Sequence, residues 1–189
     1  MDKKEFRVWE TVSRKTILSH GKFLTVESHT IKLPDGRIIP DWAWIITPSA
    51  VIVLAVTGDE KFLCFRQTKY AIEGAALAPV GGMLEPNEKP LDAAKRELLE
   101  EMGYEASEWI NLGSHILHPN RGIATMHLFL ALNARKVAEP NSEDLEDQQL
   151  LFLTRSEVED ALKTGEFKIL AWSAVVAMSL NYLKTTNDS

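Results

Sequence analysis

The chain has 189 residues, 45% of them hydrophobic, and a formal net charge of −6. This length and composition are typical of a globular protein with a sizeable core, and the acidic balance argues against general nucleic-acid binding, which requires a basic surface. Cys64 is the only cysteine, so we expect no intrachain disulfide and a reducing, cytoplasmic location.

Neither end of the chain suggests a membrane or secretory segment. The N-terminal sequence MDKKEFRVWE lacks the apolar core of a signal peptide. The longest apolar stretch, Ile169–Leu183, has 15 residues and includes Ser173, Ser179 and Asn181. A membrane-spanning helix needs about 20 apolar residues, so this stretch is predicted to be a buried or interface helix.

The N-terminal region is predicted to form a small antiparallel sheet. Residues 1–14 carry no clear pattern, but the chain has an extended pattern from Lys15. Two β-rich runs, up to Ile31 and from Ile38 to Ile46, flank the sequence Pro34-Asp35-Gly36. Proline fixes φ and glycine permits positive φ, so this sequence predicts the turn of a hairpin. We expect residues 1–47 to form this sheet and residues 48–189 to form the main domain.

Large aromatic residues stand out on this predicted sheet. Phe23, Trp42 and Trp44 are either packing residues, platforms on which a nucleobase stacks, or part of a subunit interface.

The main domain is predicted to be α+β with a mixed sheet. Ala50–Val56 is a continuous apolar run, typical of a strand buried on both faces. The chain lacks the regular alternation of strands and helices found in a doubly wound sheet. The predicted strands are Ala50–Val56, Lys61–Gln67, Ala76–Val80, Trp109–Leu117, Ala124–Leu132 and Leu150–Leu153; the helices are 90–102, Ser156–Lys163 (N-cap Thr154 or Ser156) and Ile169–Leu183; and the main loops are 68–76 and 133–147.

The predicted helix 90–102 has an acidic face. Glu97, Glu100 and Glu101 are spaced i, i+3 and i+4, which places their side chains side by side. Clustered carboxylates repel one another, and a divalent cation with oxygen ligands is a natural counter-charge. A solvated, glutamate-rich surface is the alternative. The helix is also expected to bury an apolar face made of Leu91, Ala94, Leu98 and Met102.

The region around this helix has glycine, glutamate and arginine at particular positions: Gly82, Glu88, Arg96, Glu97, Glu100, Glu101 and Gly103. Their spacing resembles the Nudix box, G-x5-E-x7-R-E-U-x-E-E-x-G-U. Tyr104 is the one departure, because the last position is usually aliphatic. The resemblance implies the Nudix fold, an α/β/α sandwich around a mixed sheet. It also implies hydrolysis of a nucleoside diphosphate linked to another group.

The resemblance also implies a Mg²⁺ or Mn²⁺ site and roles for single residues. Glu97 and Glu101 are the leading ligands, Glu100 shares the metal or the attacking water, and the backbone carbonyl of Gly81 is a further ligand. Arg96 would orient the glutamates. Glu88 is expected to support the loop before the helix, and His115, His118 and His127 to be structural.

Features outside the box resemble the ADP-ribose pyrophosphatase branch of this family. Pro119 lies sixteen residues after Gly103, and the segment FRQTKY (65–70) is similar to that group. The branch implies a homodimer formed through the N-terminal sheet, with Phe23 and Trp42 stacking the adenine. The further expected substrate-binding residues are Arg66, near the phosphates, Lys69, Pro119 and Arg121.

Two departures keep the substrate open. The group often has Arg where this chain has Lys69, and Lys lacks the bidentate fork. The segment Leu77–Gly82 also lacks the glutamate usual just before the box. A broader nucleoside diphosphate sugar hydrolase is therefore an equal expectation. A pyrophosphohydrolase of nucleoside triphosphates or dinucleotides, and a non-catalytic Nudix-fold ligand sensor, are the alternatives.

The acidic segment Glu139–Asp147 is expected to supply the catalytic base, because in this branch a glutamate from a loop after the main sheet deprotonates the attacking water. Glu146 is the first candidate, Glu143 the second and Asp144 the third. The alternative is a solvated acidic loop without a catalytic role.

Overall fold

The structure is a computed structural model that describes residues 6–141 and 147–187. These residues fall into two units. The first comprises the chain up to Pro48 together with Ile116–Thr125, and the second comprises Ser49–His115 and the chain from Met126 onward. Each unit is described separately below.

The first unit contains a three-stranded antiparallel sheet in the order β1 (Glu10–His20), β2 (Leu24–Lys32), β3 (Ile38–Ile46). The predicted hairpin around Pro34-Asp35-Gly36 is confirmed: the main-chain N–H groups of Leu33 and Gly36 donate to Arg37 and Leu33 respectively.

The sequence predicts one extended run from Lys15 to Ile31 and does not predict β1 as a separate strand that begins at Glu10. Every one of its residues is exposed, including the apolar side chains of Val12, Ile17 and Leu18. Alternation between apolar and polar residues arises when a strand buries one face and exposes the other. Because β1 buries neither face within this chain, the sequence carries no such alternation.

The second unit is built on a mixed sheet. Its elements are β4 (Ala50–Thr57), β5 (Phe62–Thr68), β6 (Ala75–Ala78), β7 (Val80–Met83), α1 (Pro90–Met102), β8 (Tyr104–Glu105), β9 (Glu108–Ile116), β10 (Thr125–Lys136), β11 (Gln148–Leu153), α2 (Arg155–Thr164) and α3 (Leu170–Asn187). Strands β11, β5, β4, β10 and β8 lie in that order in the sheet, while β6 pairs with β5, β7 with β4 and β9 with β10. Strands β4 and β10 are parallel.

The core of this unit lies around β4. Residues 51–56 of β4 are all buried, and helices α1 and α3 both contact this strand, as expected where helices cover a central strand. The expected α+β class, with helices packed on a mixed sheet, is confirmed. Among the described residues, no helix is both long enough and apolar enough to cross a membrane.

Two predicted boundaries were wrong. The single strand Ala76–Val80 is two strands, β6 and β7, interrupted at Pro79, because proline has no N–H with which to continue a ladder. Strand β10 continues to Lys136, where a loop was expected from residue 133. Its polar end is exposed, but it pairs with β8 through Arg135 and Glu105.

The N-cap of α2 follows the sequence prediction. The side chain of Thr154 accepts a hydrogen bond from the Glu157 N–H, and the Glu157 carboxylate accepts from the Thr154 N–H. This capping box satisfies two N–H groups at the helix start that have no partner within the helix.

Candidate active site

Helix α1 begins and ends where its sequence requires. Pro90 occupies the first turn, where its missing N–H is not needed. Gly103 follows the last helical residue with φ of 74°, a left-handed conformation that glycine adopts without steric cost. These two residues fix the segment that carries the box glutamates.

The buried face of α1 differs from the predicted one at one end. Ala94, Leu98 and Met102 are fully buried as expected, but Leu91 is 37% exposed. Glu97 is 8% exposed and faces the core side with Ala93. Burial of a carboxylate is costly unless a partner compensates its charge, and Arg96 provides that partner.

The guanidinium of Arg96 gathers three carboxylates. Its Nη1 donates to Glu97 Oε1 at 2.8 Å and to Glu100 Oε2 at 3.0 Å. Its Nε and Nη2 donate to the two oxygens of Glu88 at 2.8 and 2.9 Å. Nη2 also donates to the carbonyl of Met83 at 3.2 Å. One side chain thus links the start of the box, its loop and the acidic face of α1.

Glu88 has a structural position in this network. Besides its two bonds from Arg96, its Oε2 accepts from the Glu85 N–H at 2.9 Å. The charge-assisted bonds from Arg96 lower the pKa of Glu88. The carboxylate therefore closes the 85–88 loop and fixes the guanidinium from one side.

Glu97 approaches the strand that precedes the helix. Gly82 lies on β7, and a Cβ atom at this position would overlap the Glu97 carboxylate. The absent side chain of Gly82 is therefore the space that this carboxylate occupies. Burial raises the pKa of Glu97, and the hydrogen bond from Arg96 acts in the opposite direction.

The donor chemistry of this cluster suits a hard divalent cation. Glu97 and Glu100 both accept from the same nitrogen of Arg96, so one carboxylate oxygen of each lies beside that nitrogen. Within residues 6–141 and 147–187, no three His, Cys, Asp or Glu side chains are grouped closely enough to hold a metal. Mg²⁺ commonly uses one or two carboxylates and retains several waters, so a site with few protein side chains still fits it.

The segment that leads into the acidic loop is hydrogen-bonded to the end of α1. The carbonyl of Gly103 accepts from the N–H groups of Val137 and Ala138, and the carbonyl of Glu100 accepts from the Asn141 N–H at 2.8 Å. The segment that leads into the acidic loop therefore starts beside the box helix. The three residues proposed as the base, Glu143, Asp144 and Glu146, lie outside the described residues.

Arg66 and Lys69, the expected phosphate contacts, lie on and just after β5. Arg66 is half-buried on β5 and donates through Nη1 to Glu166 Oε2 at 2.6 Å. Lys69 lies in the following loop, where its carbonyl accepts from the Ile72 N–H. Sequence reasoning did not identify Glu166, which carries no motif and lies a hundred residues from Arg66.

In the first unit, three of the expected substrate residues lie together. The indole Nε1 of Trp42 donates to the carbonyl of Asn120 at 3.0 Å, and the guanidinium of Arg121 lies 4.9 Å from the Trp42 ring centre. Trp42 and Pro119 line a cavity of about 350 Å³. Trp44, which the sequence analysis also considered as a platform for a nucleobase, lines it too. The remaining lining residues, which were not proposed as ligand contacts, are Trp9, Glu10, Thr11, Arg14, His29, Ile31 and Asn120.

Phe23 is separate from this cavity. It lies in the turn after β1, is 52% exposed, and is covered by the ammonium of Lys22 at 5.5 Å. The residues lining the cavity do not include it. Phe23 and Trp42 therefore do not line this cavity together.

The three histidines first expected to be structural make local contacts. His127 Nδ1 is 2.7 Å from the Ser114 hydroxyl, and His115 Nε2 is 3.3 Å from the carbonyl of Leu112. The Asn120 N–H donates to His118 Nδ1 at 3.3 Å.

Comparison with known proteins decides the family. The model of the NUDIX domain matches residues 46–173, a span that contains the complete box and the whole network around Arg96. The chain belongs to the Nudix family. A second family model, described as the nucleoside diphosphate sugar hydrolase N-terminal domain, matches residues 9–45.

Individual relatives agree with this assignment over nearly the whole chain. An ADP-ribose pyrophosphatase from Bacillus subtilis is 29% identical, with 93% of this chain and 92% of that protein covered. A GDP-mannose pyrophosphatase from Escherichia coli O139:H28 is 31% identical, with 94% and 96% covered. A crystal structure of an ADP compounds hydrolase has a TM-score of 0.80 over 97% of this chain and 98% of its own, and at 19% identity it supports the fold alone. The protein is a Nudix pyrophosphohydrolase related to these enzymes.

Proposed function

We propose that this protein hydrolyses the pyrophosphate bond of nucleoside diphosphate sugars, of the ADP-ribose kind, in a Mg²⁺- or Mn²⁺-dependent reaction. The products are a nucleoside monophosphate and a sugar phosphate. The observation that carries the proposal is the network around Arg96, in which Glu97 and Glu100 share one nitrogen of the guanidinium beside Gly82.

Residues of the main domain have different proposed roles in this reaction. Glu97, Glu100 and Glu101, with the carbonyl of Gly81, would hold the metal, which neutralises charge on the pyrophosphate and lowers the pKa of a bound water. Arg96 orients Glu97 and Glu100, and Glu88 in turn fixes Arg96. Glu146, or otherwise Glu143, would accept the proton from the attacking water.

The choice of a nucleoside diphosphate sugar rests on three kinds of support. The N-terminal family model carries that substrate in its description, and two relatives are named pyrophosphatases of ADP-ribose and GDP-mannose. The cavity of the first unit is lined by Trp42 and Trp44, whose faces suit a nucleobase. We propose Trp42, Pro119 and Arg121 as its ligand contacts, Phe23 as a further aromatic contact, and Arg66 and Lys69 as phosphate contacts.

We further propose that residues 1–47 form a homodimer and, together with the segment 116–125, bind the base, while the remainder of residues 48–189 carries out hydrolysis. The support is β1, an edge strand whose apolar side chains Val12, Ile17 and Leu18 are all at least half exposed. Light scattering on a size-exclusion column would measure a mass near twice 21.2 kDa; a mass near 21.2 kDa contradicts the dimer. A cytoplasmic location is proposed from the single, buried Cys64.

A substrate panel tests the proposed reaction. The purified protein is incubated with Mg²⁺ or Mn²⁺ and with ADP-ribose, GDP-mannose, other nucleoside diphosphate sugars, nucleoside triphosphates and dinucleoside polyphosphates. Released nucleoside monophosphate is measured, and a metal-free reaction is the control. We expect the highest kcat/KM on a nucleoside diphosphate sugar and little turnover without metal.

Two results would contradict the proposal in different ways. A preference for triphosphates or dinucleotides would keep the hydrolase and replace its substrate. No turnover of any nucleotide by folded, metal-loaded protein, combined with tight binding of one of them, would favour a ligand sensor.

A further inference from the structure

Glu166 contacts both members of one cross-strand pair near the box. Arg66 on β5 lies directly opposite Leu77 on β6. The carboxylate of Glu166 accepts from Arg66 Nη1 at 2.6 Å, and its main-chain carbonyl accepts from the Leu77 N–H at 3.0 Å. The chain then runs from β6 through Pro79 into β7, which carries Gly81 and Gly82.

The backbone around Glu166 is fixed on both sides. Its own N–H donates to the carbonyl of Ala161 at 2.9 Å. The next residue, Phe167, is buried in the core, and the ammonium of Lys168 donates to the carbonyl of Glu73 at 2.8 Å. The carboxylate of Glu166 is therefore presented to Arg66 from a segment that is itself held against β6.

Stability alone does not account for this arrangement. The two side chains are each 42% exposed, and ion pairs this accessible to water contribute little to folding. The same unit holds a comparable pair, Arg155 and Glu159, at 2.9 Å with side chains 38% and 39% exposed. What distinguishes the Arg66 pair is that it joins two distant segments of the chain, beside the strands that lead to the box, whereas Arg155 and Glu159 lie on one helix.

We propose that Glu166 is a positioning residue that holds the Arg66 guanidinium in the orientation that binds the substrate's phosphates. The inference rests on the proposed function, in which Arg66 is a phosphate contact. An arginine side chain held by a fixed carboxylate loses less rotamer freedom when a phosphate binds. Removing the carboxylate therefore weakens phosphate binding, even though it also removes a negative charge.

The test compares Glu166→Ala with Glu166→Gln and with the matched pair variant Glu159→Ala. Glu166→Ala removes the acceptor, whereas Glu166→Gln keeps an amide oxygen that can still accept from Arg66. We expect KM for the nucleoside diphosphate sugar to rise about 5- to 10-fold in Glu166→Ala, with kcat within twofold. Glu166→Gln should show a smaller rise, and Glu159→Ala should leave KM unchanged.

A double-mutant cycle separates positioning from a general structural effect. In an Arg66→Gln background, Glu166→Ala should raise KM no further, because the group it positions is gone. Melting temperatures of Glu166→Ala and Glu159→Ala should fall by similar small amounts. Equal, additive effects of Glu166→Ala in both backgrounds would overturn the proposal, as would an unchanged or lower KM in the single variant.

A direct binding measurement tests the positioning role of Glu166 without relying on turnover. The affinity of inorganic pyrophosphate is measured calorimetrically without metal in the wild type and in the same variants. Glu166→Ala should weaken it about 5- to 10-fold, even if the wild type hydrolyses none of the tested nucleotides and the proposed function fails. Equal pyrophosphate affinity in the wild type and Glu166→Ala would overturn the positioning role even if the hydrolase activity is found.

Discussion

The box around α1 is formed by residues that are close together in the sequence, whereas the cavity of the first unit is formed by residues that are far apart in it. The box network joins Met83, Glu88 and three residues of one helix, all within the stretch from Gly82 to Gly103. The cavity combines residues from β1, β2, β3 and the 117–124 loop. Local spacing therefore encodes the first, whereas pairing between distant segments creates the second.

The two regions also differ in their physical character. The box cluster is charged, with Glu97 8% exposed and Arg96 contacting three carboxylates. The cavity is aromatic, with Trp9 and Trp42 edge to face and His29 stacked on Trp44. An acidic cluster suits metal and phosphate chemistry, and aromatic faces suit recognition of a flat ring. Substitutions in the two regions should therefore change different kinetic constants.

The largest expected effect follows removal of a proposed metal ligand from the box. Glu97→Gln and Glu101→Gln should each lower kcat/KM by about 1,000-fold or more, because a neutral amide is a poor ligand for Mg²⁺ at the transferred phosphate. Initial rates over a range of Mg²⁺ concentrations measure the effect. Circular dichroism should show an unchanged fold.

Glu105→Gln is the matched control for these two variants. Glu105 follows the same helix but pairs with Arg135 at the surface, so its loss should leave the rate within twofold. Rates near wild type in Glu97→Gln or Glu101→Gln would remove that residue from the metal site and break the contrast between the two regions.

The next largest effect tests the acidic loop. Glu146→Gln should lower kcat by about 100-fold with little change in KM if it accepts the proton from water. Glu143→Gln should have a small effect, so each variant controls for the other. The reverse result would move the base to Glu143, and wild-type rates in both would leave the loop without a catalytic role.

Features that depend on residues close together in the sequence were predicted, and features that depend on distant residues were not. Helix α1, its Gly103 terminus and the box spacing could be predicted because each depends on neighbours within a few turns. The start of β1 and its separation from β2 could not, because β1 buries no face. Glu166 could not, because its partners Arg66 and Leu77 are brought to it only by the folded sheet. Leu91 was wrongly placed in the core because periodicity gives a face but not where neighbouring elements end.

The aromatic cavity should affect binding rather than chemistry. Trp42→Ala should raise KM for purine substrates about 10-fold with kcat nearly unchanged, since stacking on one base contributes roughly 1–3 kcal/mol. Phe23→Ala is the comparison, because Phe23 lies outside the cavity of its own chain. An effect of Phe23→Ala alone would assign base binding to the β1–β2 turn instead. Unchanged KM in both variants would return Trp42 to a packing role.

The smallest expected effect on activity is that of Glu88→Gln, which tests whether Glu88 supports the structure of the box or takes part in its chemistry. Arg96 lowers the pKa of Glu88 below its ordinary value of 4.5, so this carboxylate contributes stability that is fully present above about pH 4.5. The contribution is lost as the pH falls through the folded-state pKa. Glu88→Gln should therefore lower the free energy of unfolding at pH 7 by about 1–3 kcal/mol, and the difference from wild type should narrow below pH 4.5. Urea denaturation at several pH values measures it.

Glu157→Gln is the control for that pH dependence, because the Thr154 N–H and hydroxyl lower the pKa of Glu157 at the start of α2. It should lose stability with the same pH trend and keep full kcat. Glu88→Gln retains one oxygen for Arg96, so its kcat should fall by no more than about 10-fold. A fall as large as that of Glu97→Gln would mean that Glu88 acts on substrate or metal, and that the box cannot be divided into a supporting carboxylate and reacting ones.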